Sequence, residues 1–202
     1  MGRGATPAIT RGGLCRRQEL LAAALRIIVR EGPEAVTHRS VAAEAGASHG
    51  SVVYYFGSRE ELLRQALEMI AASNIEWLES LQDELIAHAH DPAELAARLA
   101  HFVAQQMVID RDMGIAVLEL HLAAARYPEL RPHIRHWGRA YARAGRAAFE
   151  KLGSVEPARD ARLVAQLING MVLEQLAVPR RDFERRVLRP TLERILRMIS
   201  GP

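Results

Sequence analysis

The chain has 202 residues, 49% of them hydrophobic and 25% charged. At about 150 residues per domain that leaves room for one domain or two small ones, and the composition excludes wholesale disorder. A single cysteine, Cys15, rules out an internal disulfide framework and a cysteine-built zinc cluster and fits a reducing cytoplasm. No uninterrupted apolar run of 18 residues occurs, and MGRGATPAITRGG at the start lacks an apolar signal core, so neither a membrane span nor a signal peptide is expected. The formal charge is +3, yet residues 1–59 carry +4 and the remainder −1, which suggests a polyanion-facing front on a neutral body.

Alanine, leucine, arginine and glutamate dominate, and β-branched residues rarely alternate with polar ones, so the chain reads as all-α. Residues 1–13, with Gly2, Gly4, Pro7, Gly12 and Gly13, show no periodicity and are expected to form a flexible basic arm. The first helix should start near Leu14, bury Leu21, Ala24, Leu25 and Ile28, and stop at Gly32-Pro33. Thr37 is placed to cap a short helix that Gly46 ends, and Ser48 to cap a second one reaching about Phe56. Ser58-Arg59-Glu60-Glu61 has the form of a capping box opening a fourth helix, with Leu62, Leu63, Leu67 and Ile70 inside.

Asp91-Pro92 should start another helix, with Leu95, Leu99, Phe102 and Met107 on one side, until Asp110-Arg111-Asp112 breaks it. Met113 to Tyr127 is apolar both along Ile115, Leu118 and Leu122 and along Val117, Leu120 and Ala124, which predicts a central, buried helix. From Pro157 to Val178 the apolar arc is wider than one neighbour can cover, and from Asp182 to Ile199 an apolar side opposes Arg186, Arg189, Arg194 and Arg197. These two helices read as an antiparallel hairpin that pairs with a second copy into a four-helix bundle. The expected interface draws on Val164, Leu167, Ile168, Met171 and Gln175, and on Leu188, Leu192, Ile195 and Ile199. Pro190 falls on the arginine side, where it could divide the last helix.

Thr37 to Phe56 therefore reads as helix, tight glycine-containing turn and helix, the geometry of a helix-turn-helix. Val41, Ala42, Ala45, Ala47, Val52 and Phe56 can form its small core, which leaves Thr37, Arg39, Ser48, His49, Ser51, Tyr54 and Tyr55 outside. Such a helix fits the major groove, its free amides can hold phosphate, and Ser, His and Tyr can donate to phosphates or base edges.

Residues 14–70 resemble the N-terminal DNA-binding domain of the TetR family of transcriptional regulators, most specifically in THRSVAAEAGASHGSVVYYFGSREE from Thr37 to Glu61. Thr37, Arg39, Ala42, Ala45, Gly46, Ser48, Tyr54, Tyr55, Phe56, Ser58 and Glu60 match the family pattern. The resemblance implies that Thr37, Tyr55 and Arg59 touch phosphates and that His49, Gly50 and Ser51 stand at base edges or nearby backbone. It also puts Arg39, Ser48 and Tyr54 at the DNA surface. Val53 departs from a usual phosphate-binding tyrosine, and Arg59 from a usual lysine. Arg11, Arg16 and Arg17 could follow the DNA backbone or enter a minor groove, or simply belong to a soluble tail.

The same resemblance implies a DNA-binding domain over 14–60 and a helical effector-binding and dimerisation domain over 61–202. It implies a homodimeric bacterial regulator, most often a repressor, on a palindromic double-stranded operator, released by a small-molecule effector and acting in the cytoplasm, with no cofactor and no membrane. The helix from Ser58 would be the lever between the two sites. Candidate pocket groups are Gln106, Glu119, His121, Asn169 and Glu174, with Trp137 and Tyr141 as aromatic walls; each also has the plainer reading of a paired core group. Glu174, between Leu163 and Leu167, is expected to be a buried carboxylate in need of a partner or a cationic ligand.

Arg131, Arg135, Arg139 and Arg143 make a basic stripe, read as a solvated helix side or, more sharply, as a surface for an anionic effector. His133 and His136 lack a carboxylate or cysteine companion at ligand spacing, so no metal is expected. No Gly-rich phosphate loop, HExxH or GxSxG occurs, so an enzyme is not expected. A small-molecule binder with a degenerate DNA surface is the remaining alternative, for which Val53 is the hint.

Overall fold

The computed structural model describes residues 11–201, with the side chains of all of these except 11–13, 74 and 107–109. The arm expected over residues 1–10, and the side chains of Arg11 and Met107, lie outside the described residues. Every regular element among the described residues is helical. The chain divides into two compact units between Met69 and Ile70.

The first unit contains α1 (Arg11–Glu31), a 3-10 turn (Pro33–Ala35), α2 (His38–Glu44), α3 (His49–Phe56) and the first half of α4 (Arg59–Ser80). α1 starts before Leu14, so Gly12 and Gly13 belong to the helix and not to an arm. Leu20, Leu21, Ala24, Ile27 and Ile28 are buried, while Leu25 falls at the edge of that face and is only half-buried. Val41, Ala42, Val52 and Phe56 complete the core from α2 and α3. The unit extends past residue 60 to Met69 because α4 contributes Leu62, Leu63, Ala66 and Leu67 to the buried set. In addition, Gln65 of α4 accepts a hydrogen bond from Arg17 of α1 at 2.5 Å.

The second unit continues from α4 through α5 (Gln82–His88), α6 (Pro92–Val103), a π-helical turn (Ala104–Ile109), α7 (Arg111–Arg126) and a 3-10 turn (Pro128–Leu130). It ends with α8 (Arg131–Lys151), α9 (Pro157–Ala177), a second π-helical turn (Glu184–Leu188) and α10 (Arg189–Ser200). Asp91 and Asp110 are N-caps, accepting from Ala93 N at 2.7 Å and Met113 N at 3.2 Å. α8 packs along α9, α10 against α6, and α5 against α8.

Three expectations fail here. α7 is buried on one side only: Val117, Leu120 and Ala124 are covered, Ile115 and Leu118 are half-buried, and Leu122 is 52% exposed. The last two helices do not form a self-contained hairpin, because the main partner of α10 is α6. Leu188 and Leu192 are completely buried, each worth about 1.5–3 kcal/mol of apolar transfer inside this chain, and are not free to meet a second copy. Val164 is likewise only 3% exposed. Gln175 is also spent internally, since its amide donates to Arg180 O and accepts from Arg180 N, both at 3.0 Å. Pro190, by contrast, does mark a division of the last helix: it sits in the first turn of α10, where its missing N–H is harmless, and the turn before it is π-helical.

Candidate nucleic-acid interface

The helix-turn-helix is built from local hydrogen bonds that its sequence dictates. Thr37 Oγ1 accepts from Ser40 N at 3.0 Å while Ser40 Oγ accepts from Thr37 N at 2.9 Å, a reciprocal capping box at the start of α2. α2 then closes on Gly46, whose φ of 57° is left-handed and favours glycine. Ala47 N donates to Ala42 O at 2.8 Å and Gly46 N to Ala43 O at 3.3 Å, the paired bonds of a Schellman turn. Ser48 immediately caps α3 by accepting from Ser51 N at 3.1 Å. With both helix ends pinned and Val41, Val52 and Phe56 buried beneath, the face carried by α3 has little freedom.

On that face His49, Gly50 and Tyr54 are exposed, Tyr54 to 69%, whereas Ser51 and Tyr55 are half-buried. The Tyr54 and Tyr55 rings meet edge to face at 5.1 Å, and the His49 ring meets that of His38 at 5.9 Å. The N-terminal turn of α3 thus combines a donor-acceptor imidazole, a bare glycine and a hydroxyl, groups able to approach base edges closely. Val53 is 39% exposed between these polar neighbours. Thr37, Arg39 and Ser48 flank the same turn and are exposed, and Arg39 makes no hydrogen bond or ion pair among the described residues.

Most other arginines of the unit are spoken for. Arg26 and Arg30 hold Glu44, at 2.7 and 3.2 Å, and these two guanidinium groups keep its carboxyl below the usual range. Arg16 pairs with Glu19 at 2.6 Å and reaches Gly46 O at 3.4 Å, and Arg17 lies over the Phe56 ring at 6.0 Å. These two are anchored on α1 and do not form a free arm. Arg59 differs most from its expected role. Its Nε donates to Val36 O at 2.8 Å, and its Nη2 reaches Pro33 O and Glu34 O, both at 3.2 Å, and the Glu34 carboxylate at 3.3 Å. The side chain clasps the 3-10 turn instead of standing ready for a phosphate.

The capping box expected at Ser58 is half-made. Ser58 Oγ accepts from Glu61 N at 3.1 Å, but the Glu61 carboxylate turns to Arg64 at 2.5 Å and to Gln65. Arg64 holds Glu61 well below the ordinary carboxylate range, at about 2.

In the second unit a cavity of about 70 Å³ opens between α4, α5, α6, α8 and α9. Trp77, Phe102, Phe149 and Ile168 give it an apolar wall, and Tyr141 and Asn169 are its polar members. A second cavity shares Tyr141, Ala165 and Asn169 with the first and adds His121, Trp137 and Arg162. Trp137 is stacked on Tyr141 at 6.0 Å and lies 5.0 Å from the His121 ring. Burial pushes the Tyr141 phenol up, so it stays neutral. Of the expected pocket residues, His121, Trp137, Tyr141 and Asn169 are therefore brought together.

Gln106 and Glu119 line neither cavity. Glu174 is not a buried carboxylate: its side chain is 70% exposed and pairs with Arg180 at 3.6 Å, because the α9 face on which it projects is open to solvent. The sequence reading missed Trp77 and Phe149, whose aromatic bulk on otherwise apolar helix faces was the available signal. Arg131, Arg135, Arg139 and Arg143 are all exposed.

Residues 20–66 match the family model described as bacterial regulatory proteins, tetR family, and residues 90–198 match the tetracyclin repressor-like C-terminal domain. The chain is 33% identical over 113 residues to the HTH-type nicotine-responsive transcriptional repressor HdnoR of Paenarthrobacter nicotinovorans, a match spanning 56% of each chain. It is similar in structure to a putative transcriptional regulator from Streptomyces coelicolor A3(2), with a TM-score of 0.71 and 26% identity over 93% of this chain and 99% of that one. The multidrug binding protein EbrR, complexed with malachite green, superposes with a TM-score of 0.69 at 25% identity, covering 89% of this chain and 97% of that one.

Proposed function

Since the chain belongs to the tetR family of bacterial regulatory proteins, which are DNA-binding transcriptional regulators, we propose that it is a homodimeric repressor of a palindromic operator, released when a small molecule occupies its C-terminal domain. The observation that carries this reading is the rigidly capped α2–turn–α3 unit with His49, Gly50 and Ser51 at the open N-terminal turn of α3. α3 enters the major groove, these three residues meet base edges, and Thr37, Arg39, Ser48, Tyr54 and Tyr55 hold the flanking phosphates. Arg59 supports this surface by fixing the turn before α2.

Pairing relies on α9, where Leu163, Leu167, Gly170 and Leu173 leave an exposed, mostly apolar stripe, with Ile168 and Met171 half-buried beside it. Two recognition helices about 34 Å apart, or a multiple of that, would read the two halves of the operator. The cavity of about 70 Å³ is below the roughly 300 Å³ of a small drug-sized site. An effector must therefore widen it, and that work gives it different affinities for the DNA-binding and released states, with a coupling of about 1–3 kcal/mol. α4 begins in the DNA-binding unit and ends in the effector unit, and it carries the change. HdnoR, described as nicotine-responsive, and EbrR, bound to malachite green, support a small molecule as the signal. The protein acts on the chromosome in the cytoplasm, and among the described residues no helix is long and apolar enough to cross a membrane.

Gel retardation with the duplex upstream of the protein's own gene tests the reading. Retention that survives excess random duplex is expected. Equal retention of both duplexes, or of neither, overturns it.

A further inference from the structure

The two cavities of the C-terminal unit share Tyr141, Ala165 and Asn169, so one molecule could occupy both. Their chemistry is unequal. No charged side chain lines the first, whose walls are aliphatic and aromatic. The second adds His121, Trp137, Arg162 and Gln166 to the shared Tyr141 and Asn169, and of these Trp137 and Arg162 can only donate. Trp137, which lines it, is only 1% exposed, and its indole Nε1 makes no hydrogen bond of ordinary geometry, its interaction with the neighbouring Tyr141 phenol being a weak one. An indole N–H can only donate, and leaving a buried donor unmatched is costly.

Arg162 lines the same cavity, with its guanidinium lying over Gly138, and makes no ion pair among the described residues. The Asn169 and Gln166 amides add donors that can turn either way. His121 Nδ1 faces Val117 O at 2.9 Å, which fixes a proton on Nδ1 and leaves Nε2 as an acceptor in the neutral ring. No aspartate or glutamate lines either cavity. A cationic guest would thus find Arg162 and no countercharge, whereas a guest ending in a carboxylate would meet the exposed Arg162 guanidinium and a poorly satisfied buried N–H.

We infer that the effector is an apolar carboxylate, its hydrocarbon or aromatic body in the first cavity and its carboxylate in the second, facing Arg162 and the Trp137 N–H. This rests on the reading of the C-terminal unit as the effector site and adds the charge class of the ligand.

The chain's two tryptophans, Trp77 and Trp137, line the first and second cavity, so intrinsic fluorescence reports occupancy of both without DNA. Phenylbutyrate, its primary amide and phenylbutylamine share one skeleton and differ in charge. The intact protein should bind the carboxylate at least about tenfold more tightly than the amine, with the amide between them. Arg162→Gln should bring the carboxylate down to the affinity of the amide and leave the amide unchanged. Trp137→Phe should weaken carboxylate and amide but not amine.

An amine that binds as tightly as the carboxylate, or no binding of any probe at millimolar concentration, overturns the inference. Operator retention read in the same samples separates the two proposals. A carboxylate that binds without releasing DNA leaves the carboxylate preference of the cavity standing and removes the effector reading. Binding and release by the amine alone does the reverse.

Discussion

Gly145 of α8 and Ala161 of α9 approach so closely that a Cβ on Gly145 would lie 2.6 Å from the Cβ of Ala161. Both residues are buried and both line the apolar cavity. This close approach of two extensively packed helices therefore bounds one side of the candidate effector site.

Gly145→Ala should force α8 and α9 apart. Overpacking of this kind costs about 1–3 kcal/mol, against the roughly 1 kcal/mol that alanine ordinarily gains over glycine within a helix. The expected outcome in thermal unfolding is a Tm lowered by several degrees, restored in part by Ala161→Gly in the same chain. A Gly145→Ala protein more stable than the parent would mean that the two helices do not meet at this point.

Gly46 has a different reason to be glycine. Nothing lies within 4 Å of a Cβ built on it, so substitution costs only what its φ of 57° costs. Gly46→Ala should lose about 1–2 kcal/mol, and Gly46→Asn less, because asparagine tolerates the left-handed region. Denaturant unfolding together with operator retention checks this, and equal stability of the alanine and asparagine variants would contradict the turn.

Arg59 and Arg39 should separate by what they do to salt dependence. Arg59→Lys keeps the charge but cannot span Val36 O, Pro33 O and Glu34 O, so it should unfold nearly as early as Arg59→Ala. Neither should alter the salt slope of DNA binding. Arg39→Ala should leave stability alone and make the slope shallower by about one unit, the signature of a lost phosphate contact. Full rescue of operator affinity by Arg59→Lys would return Arg59 to the phosphate role.

These contrasts mark where the sequence was legible. Thr37, Gly46 and Ser48 act through partners within five residues, so their caps and turn could be read from spacing. Even there Ser40 was overlooked as the returning half of the box at Thr37, and Glu61 was credited with a bond it gives to Arg64 and Gln65. Leu122, Leu188 and Glu174 were misjudged because periodicity shows that a face is apolar or interrupted, not which helix comes to cover it. α6 covers Leu188 and Leu192, and solvent meets Leu122 and Glu174. The cavity is the least legible feature, since it is the space that α8 and α9 fail to fill around Gly145 and exists only after packing.

His49→Ala and Ser51→Ala should act on preference and not on overall affinity. Each is expected to change discrimination by about 1–3 kcal/mol at one base pair of each half-site, with little change on random duplex. Binding-site selection from a randomised pool checks this. An unchanged consensus for both variants would remove α3 as the reading element.

Leu167 offers the cleanest test of pairing, because at 39% exposure it stands outside the chain's own core and on the open stripe with Leu163 and Leu173. Leu167→Glu should leave the fold intact, judged by a Tm little changed, since the side chain lies at the edge of the chain's own core and the carboxylate can reach solvent. Opposed to its own copy across a two-fold axis, the glutamate would meet a like charge in an apolar setting, and dimers should dissociate at micromolar concentration in sedimentation. Operator affinity should then fall by about 10²-fold or more, because the second half-site is no longer tethered to the first, while affinity for a single half-site stays the same. A variant that still sediments as a dimer places the interface elsewhere, and α9 would need another reason to expose three leucines.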